Sequence, residues 1–543
     1  MKSNGFSEAP ARRAPDVFSH LIERLCPAYR NRITAELRPE EKDGFQLADA
    51  PGGRIRISGN TPVSLAAGLN YYLRERAGVH LSWCGDRLVL PPEPPPVSTE
   101  VRREFPLPLR PCLNYCTFGY SMVWWEWPRW EREIDFMALN GINMPLAVTG
   151  IEAIYLRTLL HFGLSREEIL AFLSGPAFLP WQYMNNLDSH AGPLPSPWIT
   201  SHLALGRRIL ERERAWGMKP ILPGFSGHVP EAFARLYPRC RFIRSEGWCG
   251  FAPVVTIDPA DPMFAEVNAV FLRELTGAFG TDHYYSIDLF HEQRLDRCSP
   301  DHLAACGRCV SAALLAADPE AVWVMQAWSE RPEIIRNIPA GRLLLLDIGK
   351  ERLKATGGLD GRPVVWEGCQ TFSGSWGYHR DEATWKSPRM CLEMLINHVS
   401  RGGNLLMNVG PTSRGYIDAR AMERLAGYAD WMKYNSRSIY GCGAAPAGFP
   451  APPDCRYTYN PETNRLYLHC FAWPFKHVHL PNLAGKVKYA QLLADGSEIR
   501  RREAVNEVHS NLNSTTPDNA LTLELPVLLP QGTEVPVIEL FLK

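Results

Sequence analysis

Several motifs that would assign a function class are missing from this chain. There is no P-loop, no Rossmann glycine pattern and no HExxH or GxSxG motif among its 543 residues. Nucleotide, zinc-protease and serine-hydrolase chemistry are therefore disfavoured. The chain also lacks a net charge at pH 7, because its 58 basic residues balance its 58 acidic residues. No global field draws the chain to nucleic acid or to an anionic membrane, so a neutral partner fits best.

Long apolar runs and dense cysteines are missing too. No run is long enough to cross a bilayer, and the N-terminus MKSNGFSEAPARRAP has basic residues but no apolar signal segment. We therefore expect a soluble, cytoplasmic protein. Fourteen cysteines over this length are too dilute for a disulfide scaffold, which predicts reduced thiols. Cys306 and Cys309 form a lone CxxC near Cys298, which we interpret as core thiols, and neither a metal nor another cofactor is predicted.

Aromatic residues are concentrated in one stretch, Asn114 to Asn143. It contains four tryptophans, followed by a helical pattern from Trp130 to Leu139 and then by a second apolar run. A strand, an aromatic loop, a helix and a strand form the βα repeat of barrels and doubly wound sheets, whose chemistry lies where the strands end. Tryptophans there suit flat, partly apolar ligands such as sugar rings. The alternative is that they only pack the helix against the barrel.

The order of patterns predicts three domains. Residues 1–105 mix helix and strand, and the segment PPEPPPVSTE closes them because consecutive prolines end regular structure. Residues 106–440 are predicted to form a (β/α)8 barrel, and the period-two strands of residues 441–543 predict a small β-sandwich. The predicted barrel strands are Cys112 to Phe118, Ile142 to Val148, Pro220 to Phe225, His283 to Leu289, Ala321 to Trp328, Arg342 to Ile348, Pro363 to Glu367, and Asn404 to Val409.

Carboxylates at the strand ends are the candidates for chemistry, because a glycoside hydrolase needs two carboxyl groups beside the bond it breaks. Asp288 and Glu292 lie in HYYSIDLFHEQ, and both face one side if the strand continues past Phe290. Glu292 follows an apolar run, where burial would raise its pKa and suit it to general acid catalysis, and the adjacent His291 could tune its protonation. A strand-end carboxylate that caps the next helix is the alternative.

A second carboxylate is expected from Glu367 or Asp347. Glu367 is placed at the end of the run PVVWEG and Asp347 at the end of LLLLD. We favour Glu367 because Trp366 and the loop GCQTFSGSWGY put aromatic and polar groups beside it. The alternative is a salt bridge at the barrel rim.

From about residue 45 to about residue 347 the chain resembles the α-N-acetylglucosaminidases of glycoside hydrolase family 89. The resemblance rests on motifs such as IRISGNTPVSLAAGLNYYL, VWWEWPRWEREIDFMALNGIN, GPAFLPW, GHVPEA and FLRELTGAFGTDHYYSIDLFHE. It implies a retaining hydrolase of terminal α-linked N-acetylglucosamine (GlcNAc), with Glu292 as the general acid/base. It also implies a GlcNAc pocket lined by Asn114, Cys116, Trp181, Trp248, His291 and Trp328.

From about residue 361 to Lys543 the chain is instead similar to the C-terminal part of family 29 α-L-fucosidases. The matching segments are WEGCQTFSGSWGYHRDEATWKSP, VSRGGNLLMNVGPTSRGYID and WMKYNSRSIYG. Neither family's recognisable nucleophile is present. A change of family between about residues 348 and 363 would join six barrel strands of one type to two of the other.

Three hypotheses follow. The first is a hydrolase of terminal α-linked GlcNAc, with Glu292 as acid/base and Glu367 as nucleophile or general base. The second is an α-L-fucosidase, and the third is a sugar-binding protein without turnover. All three predict a carbohydrate partner and neither nucleic acid nor membrane, and all leave the oligomeric state open.

Overall fold

The computed structural model describes residues 10–40, 42–293, 298–326, 332–346, 365–503, 519–528 and 534–543, with the backbone alone for residues 10–15. The chain divides into two compact units. The first contains Met1–Leu344 and Pro411–Tyr416, and the second contains Leu345–Gly410 and Ile417–Lys543. Among the helices described, none combines the length and the apolar character that crossing a membrane requires.

The first unit begins with a four-stranded sheet and two helices, Pro10–Leu25 and Pro62–Glu75. The second helix packs closely on the sheet, because a Cβ on Gly68 would collide with Ile57. Helix and strand are thus mixed here, as the sequence predicted. The strands lie in the order Ile33–Leu37, Arg54–Gly59, Gly44–Ala50 and Val101–Glu104.

Six short strands follow along the chain, and each overlaps a predicted barrel strand. The first two pair in parallel, a parallel bridge joins Leu146 to Ile221, and the last four form one sheet. Within that sheet, Tyr284–Ser286 is parallel to both of its neighbours. The strands are Pro111–Cys112, Met144–Pro145, Leu222–Pro223, Tyr284–Ser286, Val322–Gln326 and Leu343–Leu346.

Helices separate these strands, which gives the alternation of an α/β fold. A small antiparallel sheet of His228–Val229, Val255–Ile257 and Phe242–Arg244 is inserted before the longest apolar helix. The helices are Tyr115–Phe118, Trp127–Leu139, Ile151–His161, Arg166–Phe172, Leu179–Tyr183, Ser196–Ala215, Glu231–Leu236, Pro262–Phe279, Pro300–Ala317 and Pro332–Ile335.

The second unit contains a parallel pair of strands, Glu367–Thr371 and Asn404–Asn408, with the helices Pro388–Val399 and Ala419–Asn435. Two antiparallel sheets complete it, and side chains from both sheets share one buried hydrophobic cluster. The alternating strands predicted for the last hundred residues are present. The strand order of the first sheet is Gly443–Ala444, Cys455–Asn460, Arg465–Cys470, Val537–Leu542 and Val487–Leu492. The strand order of the second sheet is His477–Leu480, Leu521–Glu524 and Arg500–Glu503.

Two predicted strands of the first unit are wrong in extent. The run from Cys112 to Phe118 is a strand only as far as Cys112, because the Asn114 side chain accepts a hydrogen bond from the Thr117 amide and caps a helix instead. The strand predicted from His283 to Leu289 ends at Ser286, so it does not continue past Phe290. Phe290 and Glu292 have φ of +58° and +51°, which extended backbone does not allow. Asp288 and Glu292 therefore do not share a strand face.

A third prediction is corrected in the second unit. Glu367 was expected to end a strand, but it begins the strand Glu367–Thr371. Gly368 lies within this strand, and glycine is required there because a Cβ at this position would collide with the His398 ring of the neighbouring helix.

Candidate active site

Glu292 lies in a tight turn just after the strand Tyr284–Ser286. The Gln293 amide donates to the Phe290 carbonyl at 3.1 Å, and Phe290 is buried with 3 % of its surface exposed. Positive φ angles at Phe290 and Glu292 cost backbone free energy, and such conformations concentrate at functional sites. The buried Phe290 side chain therefore anchors the turn from which the Glu292 side chain projects.

Two donors hold one oxygen of the Glu292 carboxylate. The Trp248 indole Nε1 donates to Oε2 at 2.6 Å, and the Asn186 amide Nδ2 donates to the same atom at 3.1 Å. Among the described residues, no hydrogen-bond donor reaches the other oxygen, Oε1. The Glu292 side chain is about one-third exposed, at 34 %. The arrangement fixes the carboxyl group by one oxygen and leaves the other open for a reacting group.

His291 is adjacent to this carboxylate, with Nε2 3.9 Å from Glu292 Oε2. Burial lowers the pKa of His291, and the negative charge of Glu292 opposes that shift only in part. The imidazole is therefore neutral at pH 7. A neutral ring does not pair with Glu292 as a fixed cation.

Asp288, the other candidate in this segment, makes the contacts of a residue with a structural role. It is buried at 4 % exposure, and its Oδ1 accepts a hydrogen bond from the Gln326 amide at 2.8 Å. Its carbonyl oxygen accepts from Asn185 Nδ2 at 3.0 Å. Asp288 thus ties its own strand end to the end of the next strand, Val322–Gln326.

Aromatic contacts connect two of the predicted pocket residues, Trp181 and Trp248. The ring of Trp181 lies 6.5 Å from Phe178, which contacts His190 at 4.5 Å. His190 contacts Phe251 at 4.8 Å, and Phe251 stacks on Trp248 at 6.0 Å with 17° between the rings. A continuous aromatic row therefore runs to the side chain that binds Glu292.

Cys116 lies on the short helix Tyr115–Phe118, and Asn114 is the N-cap of this helix. Burial first, and then the negative charge of Asp288, raise the pKa of Tyr115, so this helix lies beside the strand end that precedes Glu292. Gly119 packs against the Trp181 ring with no room for a Cβ. The structure thus brings five predicted residues to one region of the first unit: Asn114, Cys116, Trp181, Trp248 and His291.

The tryptophan cluster serves mainly to pack its helix. Trp130 is buried at 2 % exposure and stacks on Phe118. The Arg129 guanidinium lies 3.9 Å from the Trp125 ring, and Arg208 lies 3.9 Å from Trp127. Such cation–π pairs stabilise the helix ends. Trp124, with 62 % of its surface exposed, is the exception.

Three of the predicted site residues are not among the described residues of the first unit. Trp328 and Asp347 lie outside the described residues. Glu367 belongs to the second unit, where it is buried at 8 % exposure at the start of a strand. Its role as the second carboxylate remains a prediction.

Asn186 is the site residue that the sequence reading missed. It is 2 % exposed, and its Oδ1 has no hydrogen-bond partner among the described residues, although its Nδ2 binds Glu292. Its neighbour Asn185 has φ of +61° and accepts from the Ser226 hydroxyl at 2.8 Å. Two consecutive asparagines after an apolar helix, in QYMNN, were the available signal, because buried amides need specific partners.

Comparison with known proteins gives the first unit a family. The family model described as "Alpha-N-acetylglucosaminidase (NAGLU) tim-barrel domain" matches residues 110–402, and the model of the N-terminal domain of the same family matches residues 17–96. Human α-N-acetylglucosaminidase is 41 % identical over 381 residues, which are 66 % of this chain and 51 % of the human protein. The chain thus spans about half the length of this relative.

Solved structures agree with the family match. A family 89 glycoside hydrolase from Clostridium perfringens, in complex with PUGNAc, aligns with a TM-score of 0.68 and 27 % identity, over 78 % of this chain and 51 % of that one. The same bacterial enzyme in complex with its substrate GlcNAc-α-1,4-galactose aligns with a TM-score of 0.67 and 25 % identity, over 82 % of this chain and 57 % of that one.

The C-terminal part has different relatives. Plasma α-L-fucosidase of Rattus norvegicus is 36 % identical over 116 residues, which are 21 % of this chain and 25 % of that protein. This match confirms the second resemblance but covers too little of the chain to assign it. Because the barrel-domain model of the other family matches more than half of the chain, the chain belongs to the α-N-acetylglucosaminidase (NAGLU) family.

Proposed function

We propose that this protein is a glycoside hydrolase that removes terminal, non-reducing α-linked GlcNAc, with Glu292 as its general acid/base. One observation carries the proposal: in a chain of this family, the Glu292 carboxyl group projects from a strand-end turn and is bound through one oxygen by Trp248 and Asn186. The human relative is an α-N-acetylglucosaminidase by name, and the bacterial structure holds GlcNAc-α-1,4-galactose as its substrate.

The geometry supports a specific proton position. Because two N–H groups donate to Oε2, a proton on that oxygen would displace a donor. The acid form of Glu292 therefore carries its proton on Oε1, which delivers it to the glycosidic oxygen as the bond breaks. In the second step the same oxygen accepts a proton from water.

The proposal includes a retaining, two-carboxylate mechanism, which requires carboxyl groups about 5 to 5.5 Å apart. Glu367 is the residue that the sequence offers as the second carboxylate. The anomeric form of the first-released sugar, followed by NMR, tests retention. Release of the α anomer supports it, and release of the β anomer assigns an inverting reaction.

The proposal also includes a fold and a location. Eight short strands in the predicted order support a (β/α)8 barrel, and the two sheets with a shared core support a C-terminal β-sandwich. Cytoplasmic location remains a prediction from the sequence.

The decisive test is Glu292→Gln, which keeps the side-chain size and removes the proton donor. We expect hydrolysis of an aryl α-GlcNAc to fall by about a hundredfold to ten-thousandfold, since acid–base catalysis contributes about 10²- to 10⁴-fold. Glu246→Gln is the matched control, because Glu246 is an exposed glutamate two residues from Trp248. A Glu292→Gln variant that hydrolyses the substrate normally would remove Glu292 from the mechanism.

Two other functions are distinguished by the same assay. The similarity to rat plasma α-L-fucosidase favours an α-L-fucosidase as the second candidate. Hydrolysis of an aryl α-L-fucoside, with none of the GlcNAc analogue, would establish it. Calorimetric binding of GlcNAc without hydrolysis of either substrate would instead select a sugar-binding protein.

A further inference from the structure

A cluster of three metal-ligating side chains lies outside the candidate active site. Asp258 directly follows the strand Val255–Ile257, and His302 and Cys306 are one turn apart on the helix Pro300–Ala317. One potential ligand atom from each residue lies within 4.8 Å of the other two. The sequence reading considered the cysteines of this helix alone and found no second pair. The structure adds a carboxylate from more than 40 residues earlier in the chain.

Two of the three spacings between these atoms match tetrahedral coordination. His302 Nε2 lies 3.4 Å from Asp258 Oδ1 and 3.6 Å from Cys306 Sγ. Zinc binds nitrogen and oxygen at about 2.0 Å and thiolate sulfur at about 2.3 Å. Tetrahedral angles then separate nitrogen from oxygen by roughly 3.3 Å and nitrogen from sulfur by roughly 3.6 Å. The pairs that His302 forms with Asp258 and with Cys306 therefore already have the spacing that one shared ion requires.

A cysteine, a histidine and an aspartate could also form a nucleophilic triad, but the contacts argue against it. In a triad the carboxylate and the thiol bind opposite nitrogens of the imidazole. Here both neighbours approach the same atom, His302 Nε2. Convergence on a single nitrogen is the arrangement that ligands of a shared cation adopt.

The supporting contacts hold the three residues in place. Asp258 Oδ1 also accepts from the Ala260 amide at 2.9 Å, and Arg241 Nε lies 3.8 Å from Asp258 Oδ2. The His302 amide donates to Ser299 Oγ, the cap of the helix, at 3.2 Å. Cys306 is fully buried, whereas 23 % of the His302 side chain is exposed, so an ion has a route to the site.

We propose that Asp258, His302 and Cys306 bind a structural zinc ion. Cys306 binds as the thiolate and releases its proton to solvent, and water completes the coordination. The ion would link two elements. One is the helix Pro300–Ala317, which follows the Glu292 turn, and the other is the strand Val255–Ile257, which Asp258 directly follows. The helix begins at Pro300, only eight residues after Glu292.

Metal binding is measured on the full chain after removal of metal by a chelator. We expect Zn²⁺ to bind with a stoichiometry of one and to raise the Tm, and Co²⁺ to give a thiolate charge-transfer band with the visible bands of tetrahedral cobalt. Cys306→Ser should lose the charge-transfer band. His302→Gln should weaken Zn²⁺ binding by at least about tenfold.

Cys26→Ser is the matched control, because Cys26 is a fully buried thiol beside Tyr29. It should bind both metals as the wild type does. If Cys306→Ser does not fold, the partly exposed His302 decides the outcome through His302→Gln. Absence of Zn²⁺ binding at micromolar concentration, or unchanged binding in both ligand variants, would overturn the proposal.

Discussion

At the scale of the residue, the two donors to Glu292 differ in how replaceable they are. Asn186 is almost fully buried, so no water takes its place when its amide is removed. Trp248 is half-buried and stacks on Phe251, so its ring can stay in position while its N–H is lost. The sequence named Trp248 through a family motif, and it gave no comparable reason to name Asn186.

We therefore predict that Trp248→Phe lowers kcat by about tenfold or more, with a smaller change in KM, because one charge-assisted hydrogen bond is lost. The basic limb of the kcat/KM profile should move to higher pH, since donors to a carboxylate favour its ionised form. Steady-state kinetics between pH 4 and 9 measure both effects. Trp83→Phe is the control, because Trp83 Nε1 donates to Glu133 instead. An unchanged pH profile in Trp248→Phe would show that the hydrogen bond does not act on catalysis.

At the scale of the element, the helix Ile151–His161 carries a buried carboxyl group in its first turn. Glu152 is 1 % exposed, and the Tyr183 hydroxyl donates to its Oε2 at 3.0 Å. Burial raises the pKa of Glu152 from 4.5 to about 7, although its hydrogen bonds lower it in part. The folded state therefore binds the proton more tightly than the unfolded state does.

The sign of the resulting pH dependence follows from this difference. Between pH 4.5 and about 7 the unfolded chain loses the Glu152 proton while the folded chain keeps it, so the free energy of unfolding falls as the pH rises. The full effect is about 3 kcal/mol. Glu152→Gln keeps the bond from Tyr183 and should remove this dependence. Denaturant unfolding at pH 5 and pH 8 measures it, and an equal slope in both proteins would contradict the assignment.

The elements also show how far the sequence could lead. Runs such as Val322–Gln326 and Asn404–Asn408 were found because buried parallel strands are nearly all apolar and are separated by helical patterns. Their ends were missed where a single contact decides the backbone. Asn114 turned an expected strand into a capped helix. The left-handed backbone at Glu292 is set by the surrounding turn, and no residue pattern announces it.

At the scale of the whole molecule, the open question is which part of the chain supplies the second carboxylate. Glu367 begins its strand, whereas catalytic residues of parallel barrels lie at the carboxyl ends, here marked by Thr371 and Asn408. This position favours a structural role. We predict that Glu367→Gln changes kcat by less than about tenfold while the Tm falls, because a buried carboxyl group loses its native interactions.

Kinetics with an aryl α-GlcNAc and a thermal melt of Glu367→Gln separate the two roles. Glu382→Gln is a suitable control, because Glu382 is also in the second unit and accepts hydrogen bonds from Ser375 and Thr384, which lower its pKa to about 2. A loss of kcat by about a thousandfold, with an unchanged Tm, would make Glu367 the nucleophile and the fucosidase-like part of the chain a contributor to catalysis.

The hydrogen bond from Trp248 to Glu292 also gives the molecule an optical property. Indole emission depends on the group that its N–H meets, and here that group is a carboxylate 2.6 Å away. A sugar that binds at the free oxygen of this carboxyl group changes the spectrum of this one indole among sixteen, and subtraction of the Trp248→Phe spectrum isolates it. Sugar binding at the site can then be followed by fluorescence without hydrolysis, so binding can be measured even in a catalytically inactive variant.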